Sequence, residues 1–375
     1  MAEWKECLLG DLITFQRGHD LPKSKMSGNG YPVVGSNGII GFHNEYTTEY
    51  PSITVGRSGN VGKPYIVYGR SWSHNTSLYI KEFKGTDPVF IYYFLQTLDL
   101  GNYAGGSAVP TLNRNHIHSL NVRVPADVST QEKIANTLKA LDDKIDKNTD
   151  INKNLFQQAQ SIYSAWFEQF LLYNGKMPSN WHIGTIRDIA DITTNNFNPQ
   201  KNPGVMLEHY SIPAFDEQHF PVFELSDNVK SNKYILTNNS VLASKLNPDT
   251  KRVWRPMCLS ENAVCSTEFI VFESKNPEHK DFLFSIIDSQ PFSDWMCAHT
   301  TGSTNSRQRT TPSTTLDFKI AVPPDDVVDE FCSTVAPMYD LISQKLLENQ
   351  RFSSLRDQLL PKLMTGEIDV SDIEL

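Results

Sequence analysis

The 375-residue chain is poor in cysteine, and the few it has are unpaired in sequence. Cys7, Cys258, Cys265, Cys297 and Cys332 are odd in number and scattered, with no C-x-x-C spacing. That pattern argues against a structural zinc site and against a secreted disulfide framework. No apolar run approaches eighteen residues, so nothing reads as a membrane span. The opening Met1-Ala2-Glu3-Trp4-Lys5-Glu6 lacks the basic start and apolar stretch of a secretory leader. A reducing cytoplasm is the expected compartment.

Basic charge is also in short supply. The formal net charge is −9, but it is unevenly spread. Residues 1–128 carry a net of +1, residues 129–173 of −1, residues 174–325 of −3 and residues 326–375 of −6. The acid is concentrated in the last fifty residues and the large segments are near neutral. The overall charge therefore neither excludes a nucleic-acid partner nor argues for one.

Familiar catalytic signatures are missing. Gly56-Arg57-Ser58-Gly59-Asn60-Val61-Gly62-Lys63-Pro64 resembles a phosphate loop, but its first glycine is one residue too early and Pro64 stands where a magnesium-binding hydroxyl is needed. Asp87-Pro88-Val89-Phe90 resembles the tetrapeptide of adenine methyltransferases, yet it lacks the second proline and no glycine-rich cofactor loop precedes it. It reads instead as a helix start, with Asp87 at the N-cap and Pro88 at the first helical position. His116 and His118 stand two apart on an expected strand with no third metal ligand nearby. No G-x-S-x-G elbow is present. The chain itself is expected to be non-catalytic.

What the sequence does contain is a repeat. Trp4 precedes Asp11-Leu12 by seven residues, and Trp181 precedes Asp188-Ile189 by the same distance. Each copy continues through a β-prone stretch rich in Gly, Pro, Ser, Thr and Asn. Expected strands include Pro32-Val33-Val34, Ser52 to Val55 and Glu268 to Phe272, and expected helices cover Pro88 to Leu98 and Lys280 to Met296. The copies close on Leu120 to Pro125 and Phe318 to Pro323.

A long helical segment follows each closing proline. The first carries Ile134, Leu138, Leu141, Ile145, Asn148, Asn152, Leu155, Ala159, Ile162 and Trp166. A shift of 197 residues gives Phe331, Val335, Met338, Ile342, Lys345, Asn349, Phe352, Arg356, Leu359 and Leu363. Seven pairs are apolar in both copies, two are polar in both, and only Ala159 and Arg356 disagree. The 3.5-residue period keeps one seam facing a partner helix, and Asn148, Asn152, Lys345 and Asn349 would fix its register. Forty helical residues reach roughly 60 Å, more than one small domain needs. The expected fold is therefore α+β: two pseudo-twofold-related globular domains (residues 1–128 and 174–325) separated by an antiparallel pair of long helices (residues 129–173 and 326–375).

These features resemble the specificity subunit of type I restriction–modification systems, over essentially the whole chain. The similarity is carried by Gly56 to Gly62 with Ser73 to Tyr79, by Ser244 to Pro248 with Ser266 to Phe269, by the junction Gln131 to Ala135, and by Leu359 to Ile368. The second junction departs from it, since Asp329-Glu330-Phe331 has no basic residue where the first has Lys133. The resemblance implies a non-catalytic reader of double-stranded DNA. Its two target-recognition domains would each read half of a split, asymmetric site, with the helices as spacer. Implied partners are two adenine methyltransferase subunits, with two translocating restriction nuclease subunits as further ones. S-adenosylmethionine, ATP and Mg would reside on those partners, and no membrane is involved.

Within that reading, side chains that position phosphates or read base edges come from polar loops. In the first domain they are Arg57, Ser58, Asn60, Lys63, His74, Asn75, Thr76, Thr111, Asn113 and Arg114. In the second they are Lys245, Asn247, Lys251, Arg252, Arg255, Thr301, Ser303, Arg307, Gln308 and Arg309. Asn75 and Ser58 could instead close turns through their own backbone. Two other readings compete: a two-domain scaffold that binds a peptide or glycan, and a single-chain methyltransferase or nuclease.

Overall fold

The structure is a computed structural model that describes residues 3–105, 110–301 and 308–370. The chain divides into two compact units, one of residues 1–146 with 349–375 and one of residues 147–348. These units differ from the four consecutive segments expected, because each long helix contributes to both.

In the first unit β1 (Trp4–Leu8) enters the single turn α1 (Leu9–Leu12) and then β2 (Ile13–Arg17). There follow β3 (Tyr31–Gly35), β4 (Gly38–His43), β5 (Ser52–Gly56), β6 (Pro64–Val67), β7 (Trp72–Ser73) and β8 (Ser77–Phe83). The rest comprises α2 (Pro88–Gln96), β9 (Ala104–Gly105), β10 (Thr111–Leu112), α3 (Arg114–His118), β11 (Asn121–Pro125) and the start of α4 (Val128–Tyr163). The central sheet has the order β2-β8-β5-β6, a second sheet the order β4-β3-β7, and β1 pairs with β11. β5 is buried along its whole length, as its β-branched run of Ile53, Thr54 and Val55 favours. α2 begins as its sequence dictates: the Asp87 carboxylate accepts the Phe90 N–H at 2.7 Å and Pro88 opens the first turn.

The second unit repeats this plan. It holds β12 (His182–Thr185), α5 (Ile186–Ile189), β13 (Ala190–Thr193), β14 (Asn196–Phe197), β15 (Met206–Tyr210), α6 (Ile212–Gln218), β16 (Val222–Leu225) and β17 (Lys233–Ile235). Next come β18 (Ser240–Ser244), β19 (Val253–Trp254), β20 (Ala263–Ser266), β21 (Phe269–Ser274), α7 (Lys280–Ile287) and α8 (Gln290–Ala298). β22 (Thr300–Thr301), β23 (Arg309–Thr310), α9 (Pro312–Thr315), β24 (Lys319–Val322) and α10 (Asp325–Thr365) complete the chain. The central order β13-β21-β18-β19 matches β2-β8-β5-β6, and β12–β24 matches β1–β11. The copies part company in the second sheet, which has five strands, β14-β17-β20-β15-β16, in place of three.

Two local expectations need correction. His116 and His118 lie on helix α3, not on a strand, because Asn113 caps that turn by accepting the Asn115 N–H. His118 is a structural residue whose Nε2 accepts the Phe15 N–H at 2.9 Å, and burial holds its pKa below the ordinary value. The helix expected from Lys280 to Met296 is two helices. The hydroxyl of Ser289 accepts the Phe292 N–H, with Pro291 in the first turn of α8, so a new helix starts where one was expected to continue.

The long helices meet antiparallel within each unit. In the first, Ile134 and Leu138 are buried in one core with Leu363 and Met364, and Leu359 packs against it. Further along, Asp142 accepts from Arg356 Nη1 at 2.6 Å and from the Tyr93 hydroxyl at 2.5 Å. Asn349 Nδ2 points at the Ile145 carbonyl at 3.5 Å. In the second unit Phe331 stacks edge-on against Tyr163, Trp166, Phe167 and Phe282. Val335, Met338 and Ile342 join the same core as Phe156, Ala159 and Ile162. Leu141, Leu155 and Phe352 are only half-buried. The one mismatched pair in the repeat has a physical reason: Ala159 is fully buried in a core that also holds Tyr163, Phe167 and Phe331, whereas Arg356 holds Asp142.

Polar groups interrupt the seam as its sequence requires. Asn148 Nδ2 and Lys345 Nζ both reach Glu348 Oε2, at 3.1 and 2.9 Å. The Asn152 amide is buried with neither of its polar atoms hydrogen-bonded. The tryptophan opening each copy is sealed by a helix end. Phe167, Phe170 and Tyr173, which follow α4, surround Trp181. Gly366, which follows α10 at a φ of 77°, lies so close to the Trp4 indole that a side chain there would collide with it.

Phe331→Ala should lower stability by about 3–5 kcal/mol, since it empties an aromatic core. Asn152→Leu should leave stability unchanged or raise it, because it removes an unsatisfied buried amide. Urea unfolding checks both; an unshifted midpoint for Phe331→Ala would contradict the packing described.

Candidate nucleic-acid interface

The polar loops singled out in the first copy converge. β5 turns into β6 through the hairpin of residues 57–63, where the Gly62 N–H closes on the Gly56 carbonyl at 2.8 Å. Gly62 has a φ of 87° and backs directly onto the Gly101 backbone, so the turn has a structural reason for its glycine. The backbone N–H groups of Arg57 and Ser58 donate to the Thr76 carbonyl at 2.8 and 3.2 Å. Ser58 also bridges to Thr111, and the Leu112 N–H donates to the Arg57 carbonyl at 2.9 Å. Three segments far apart in sequence are thus stitched into one surface.

On that surface Thr76 Oγ1 lies 2.9 Å from His74 Nδ1 and accepts the Ser36 N–H. The Asn75 amide donates to Asp20, so it closes a contact across the chain in place of a local turn. Asn113 is occupied as the cap of α3, and Arg114 stands at the first position of that helix, exposed. Lys63 lies over the Tyr65 ring and Asn60 Nδ2 reaches the Tyr65 hydroxyl at 3.4 Å. Among the described residues, no carboxylate lies within ion-pair distance of Arg57, Lys63 or Arg114.

The second copy brings the corresponding loops together in the same way. The Lys245 N–H donates to the Glu268 carbonyl at 3.0 Å, and the Thr310 N–H donates to the Lys245 carbonyl at 3.0 Å. The Asn247 N–H donates to the Gln308 carbonyl at 2.9 Å, and Leu246 bridges to Arg309. The hydroxyl of Thr301, paired with Arg309 on β22, donates to the Arg309 carbonyl. Ser303 and Arg307 lie outside the described residues.

The charges of the second copy are arranged differently, for four of its basic candidates, Lys251, Arg252, Arg255 and Arg309, have acidic partners. Arg252 forms a two-bond pair with Asp216, at 2.7 and 2.8 Å, and holds that carboxyl below its ordinary pKa. Arg255 bonds Asp281 at 2.5 Å, reaches Asp340 at 3.5 Å and stacks over Tyr339. That set fastens the hairpin to α7 and α10, so Arg255 packs the unit internally. Arg309 pairs with Glu268 through two bonds of 3.0 Å. Lys251 Nζ meets both the Asp288 carbonyl and its carboxylate, at 2.8 and 3.0 Å. The sequence offered no local sign of these acids: Asp216 and Asp288 lie 36 and 37 residues from their partners.

Asp288 shows which effect wins in this pair. Burial pushes its carboxyl up to about 6, against an ordinary 3.8, although Lys251 pulls the other way. A carboxyl raised in the folded state favours folding fully below its unfolded value, and that contribution is lost as pH rises through the folded one. Between pH 4 and pH 6 the unit should therefore lose up to roughly 3 kcal/mol on this account. Asp288→Asn should remove that slope; thermal melts of both forms across this range would show it, and parallel melting curves would contradict it.

Comparisons with known proteins fit these observations. The family model for the type I restriction modification DNA specificity domain matches residues 1–157. The chain is 22% identical over 311 residues to the type I restriction enzyme MjaIX specificity subunit of Methanocaldococcus jannaschii, covering 76% of this chain and 70% of that one. It is 20% identical over 370 residues to the HindI specificity subunit of Haemophilus influenzae, covering 75% and 77%. In fold it resembles the crystal structure of the S subunit of a type I restriction–modification system from M. genitalium. That match has a TM-score of 0.66 at 15% identity over 96% of each chain.

Proposed function

We propose that the chain acts as a type I restriction–modification specificity subunit whose two loop clusters each read one half of a bipartite, asymmetric DNA site. The chain is a DNA-recognition subunit, and the competing reading as a scaffold for another ligand is not favoured. One observation supports the proposal above others. The same three loops converge at the same end of the two central strands in both units, yet carry unlike side chains: Arg57 and Thr111 in one, Lys245 and Arg309 in the other. A shared scaffold with divergent faces suits two unrelated half-sites.

In this proposal the chain carries out no chemistry. It directs two adenine methyltransferase subunits to the site, and restriction nuclease subunits join that complex. S-adenosylmethionine, ATP and Mg belong to those partners, the paired helices set the spacing of the half-sites, and the assembly works in the cytoplasm. No helix among the described residues is long and apolar enough to cross a membrane.

The first unit supplies base readout or phosphate contacts through Arg57, Lys63 and Arg114, whose charges are not neutralised by a neighbouring carboxylate among the described residues. Ser58, Asn60, His74, Asn75, Thr76, Thr111 and Asn113 line or brace the same surface. In the second unit Lys245, Asn247, Thr301, Gln308 and Arg309 take that role, with Ser303 and Arg307 beside them in sequence. Lys251 and Arg252 hold the hairpin in shape.

Arg57→Ala should weaken binding of the complete site by about 1–3 kcal/mol if the guanidinium reads a base edge, and should relax preference at one position. If it contacts phosphate instead, all sequences weaken together and the salt dependence becomes shallower. A gel shift with the methyltransferase present, run at several salt concentrations, distinguishes the two; unchanged affinity and site preference would remove Arg57 from the interface. Replacing Leu141 and Met338 with Asp should open the helix seam and abolish methyltransferase assembly, as size-exclusion chromatography would show. A complex of normal size would count against a role for the seam.

A further inference from the structure

Four basic side chains in the candidate loops of the second unit, Lys251, Arg252, Arg255 and Arg309, are ion-paired, and they differ in what they leave open. A guanidinium that meets a carboxylate through Nε and one Nη keeps a second pair of parallel N–H donors at its far end. That far end matches the O6 and N7 acceptors of guanine in the major groove. In Arg255 the far end is occupied, with Nη2 also facing Asp340 and the guanidinium over Tyr339. In Arg252 the Nη1 group is turned toward the Thr250 carbonyl, and only 14% of the side chain is exposed. Lys251 has no fork at all.

Arg309 is the exception. Its Nε and Nη2 donate to the two oxygens of Glu268 at 3.0 Å each, and no described group bonds to Nη1. Its side chain is 44% exposed, above a Glu268 carboxylate that is 31% exposed. The backbone at this position is locked: Arg309 pairs with Thr301, bridges to Leu246, and is followed by the Thr310 N–H bonded to Lys245. The Arg309 charge in turn keeps the Glu268 carboxyl below its ordinary pKa, so the brace stays ionised near neutrality. At the equivalent places the first unit has Thr111 bridged to Ser58, and Thr76. Neither offers a fork.

We propose that Arg309, held side-on by Glu268, reads a guanine in the half-site addressed by the second unit. Arg309 is the contact residue and Glu268 is a positioning residue that fixes the plane of the guanidinium before DNA arrives. This rests on the reading of the chain as a DNA-recognition subunit and adds a base to it.

The test uses the complete methyltransferase complex and duplexes bearing its recognition site. Replacing each guanine in turn by 7-deazaguanine removes the N7 acceptor and keeps base pairing. With the wild-type chain, one guanine in one half-site should be sensitive, losing roughly 10-fold in binding. Arg309→Ala should lose roughly 5- to 150-fold on the natural site and become indifferent to 7-deazaguanine at that position. Glu268→Gln should reduce discrimination at the same guanine while leaving the salt dependence of binding unchanged. The proposal is overturned if no guanine is sensitive, if Arg309→Ala weakens all sequences equally, or if Glu268→Gln leaves guanine preference intact. The 7-deazaguanine series needs only the wild-type protein, so it decides the matter even if a variant misfolds. A wild-type complex that selects no DNA sequence would instead overturn the underlying reading.

Discussion

The antiparallel packing of α4 and α10 is the constraint on which the rest depends. Neither copy closes its core with its own contiguous sequence. The first unit needs Leu363 and Met364 from the end of the chain, packed with Ile134 and Leu138. The second needs Ala159 and Tyr163 from the end of the first long helix and Phe167 from the turn after it, packed with Phe331 and Val335. Every unit is thus built from the start of one helix and the end of the other. A 3.5-residue stripe is what allows the same helix to serve both, since it keeps one face turned toward its partner.

On that base the two copies keep one framework and vary what it presents. The four-stranded sheet and the terminal strand pair have the same order in both, while the second sheet grows from three strands to five. The hairpin, the loop before the last long strand and the short paired strands meet in both units through backbone hydrogen bonds. Backbone bonding is indifferent to side-chain identity, so the exposed groups can diverge without loss of the scaffold. The charge pattern shows that divergence: among the described residues Arg57, Lys63 and Arg114 meet no carboxylate on the first surface, whereas Arg252 and Arg309 are carboxylate-braced on the second. A subunit that reads two unlike half-sites calls for this combination.

Much of the fold was legible from periodicity and spacing. The helical stripe, its polar breaks at Asn148 and Lys345, and the Asp87 cap all follow from local residue patterns, and local rules govern them. The exchange of helix ends between copies was less so, because a stripe shows which face is buried and not against what. The break at Asp288 and Ser289 was hidden by apolar residues on both sides, and a capping serine is easily missed inside such a run. The candidate loops were identifiable by composition, but their acidic partners were not. Asp216 and Asp281 come from helices and Glu268 from the turn before β21, brought near by tertiary folding alone.

A DNA-recognition subunit selects the site that its complex modifies. The most direct measurement is a genome-wide map of methylated adenines in the host with the gene intact and with it deleted. A split motif with two dissimilar halves should be methylated only when the gene is present. An identical methylation map in both strains would contradict it.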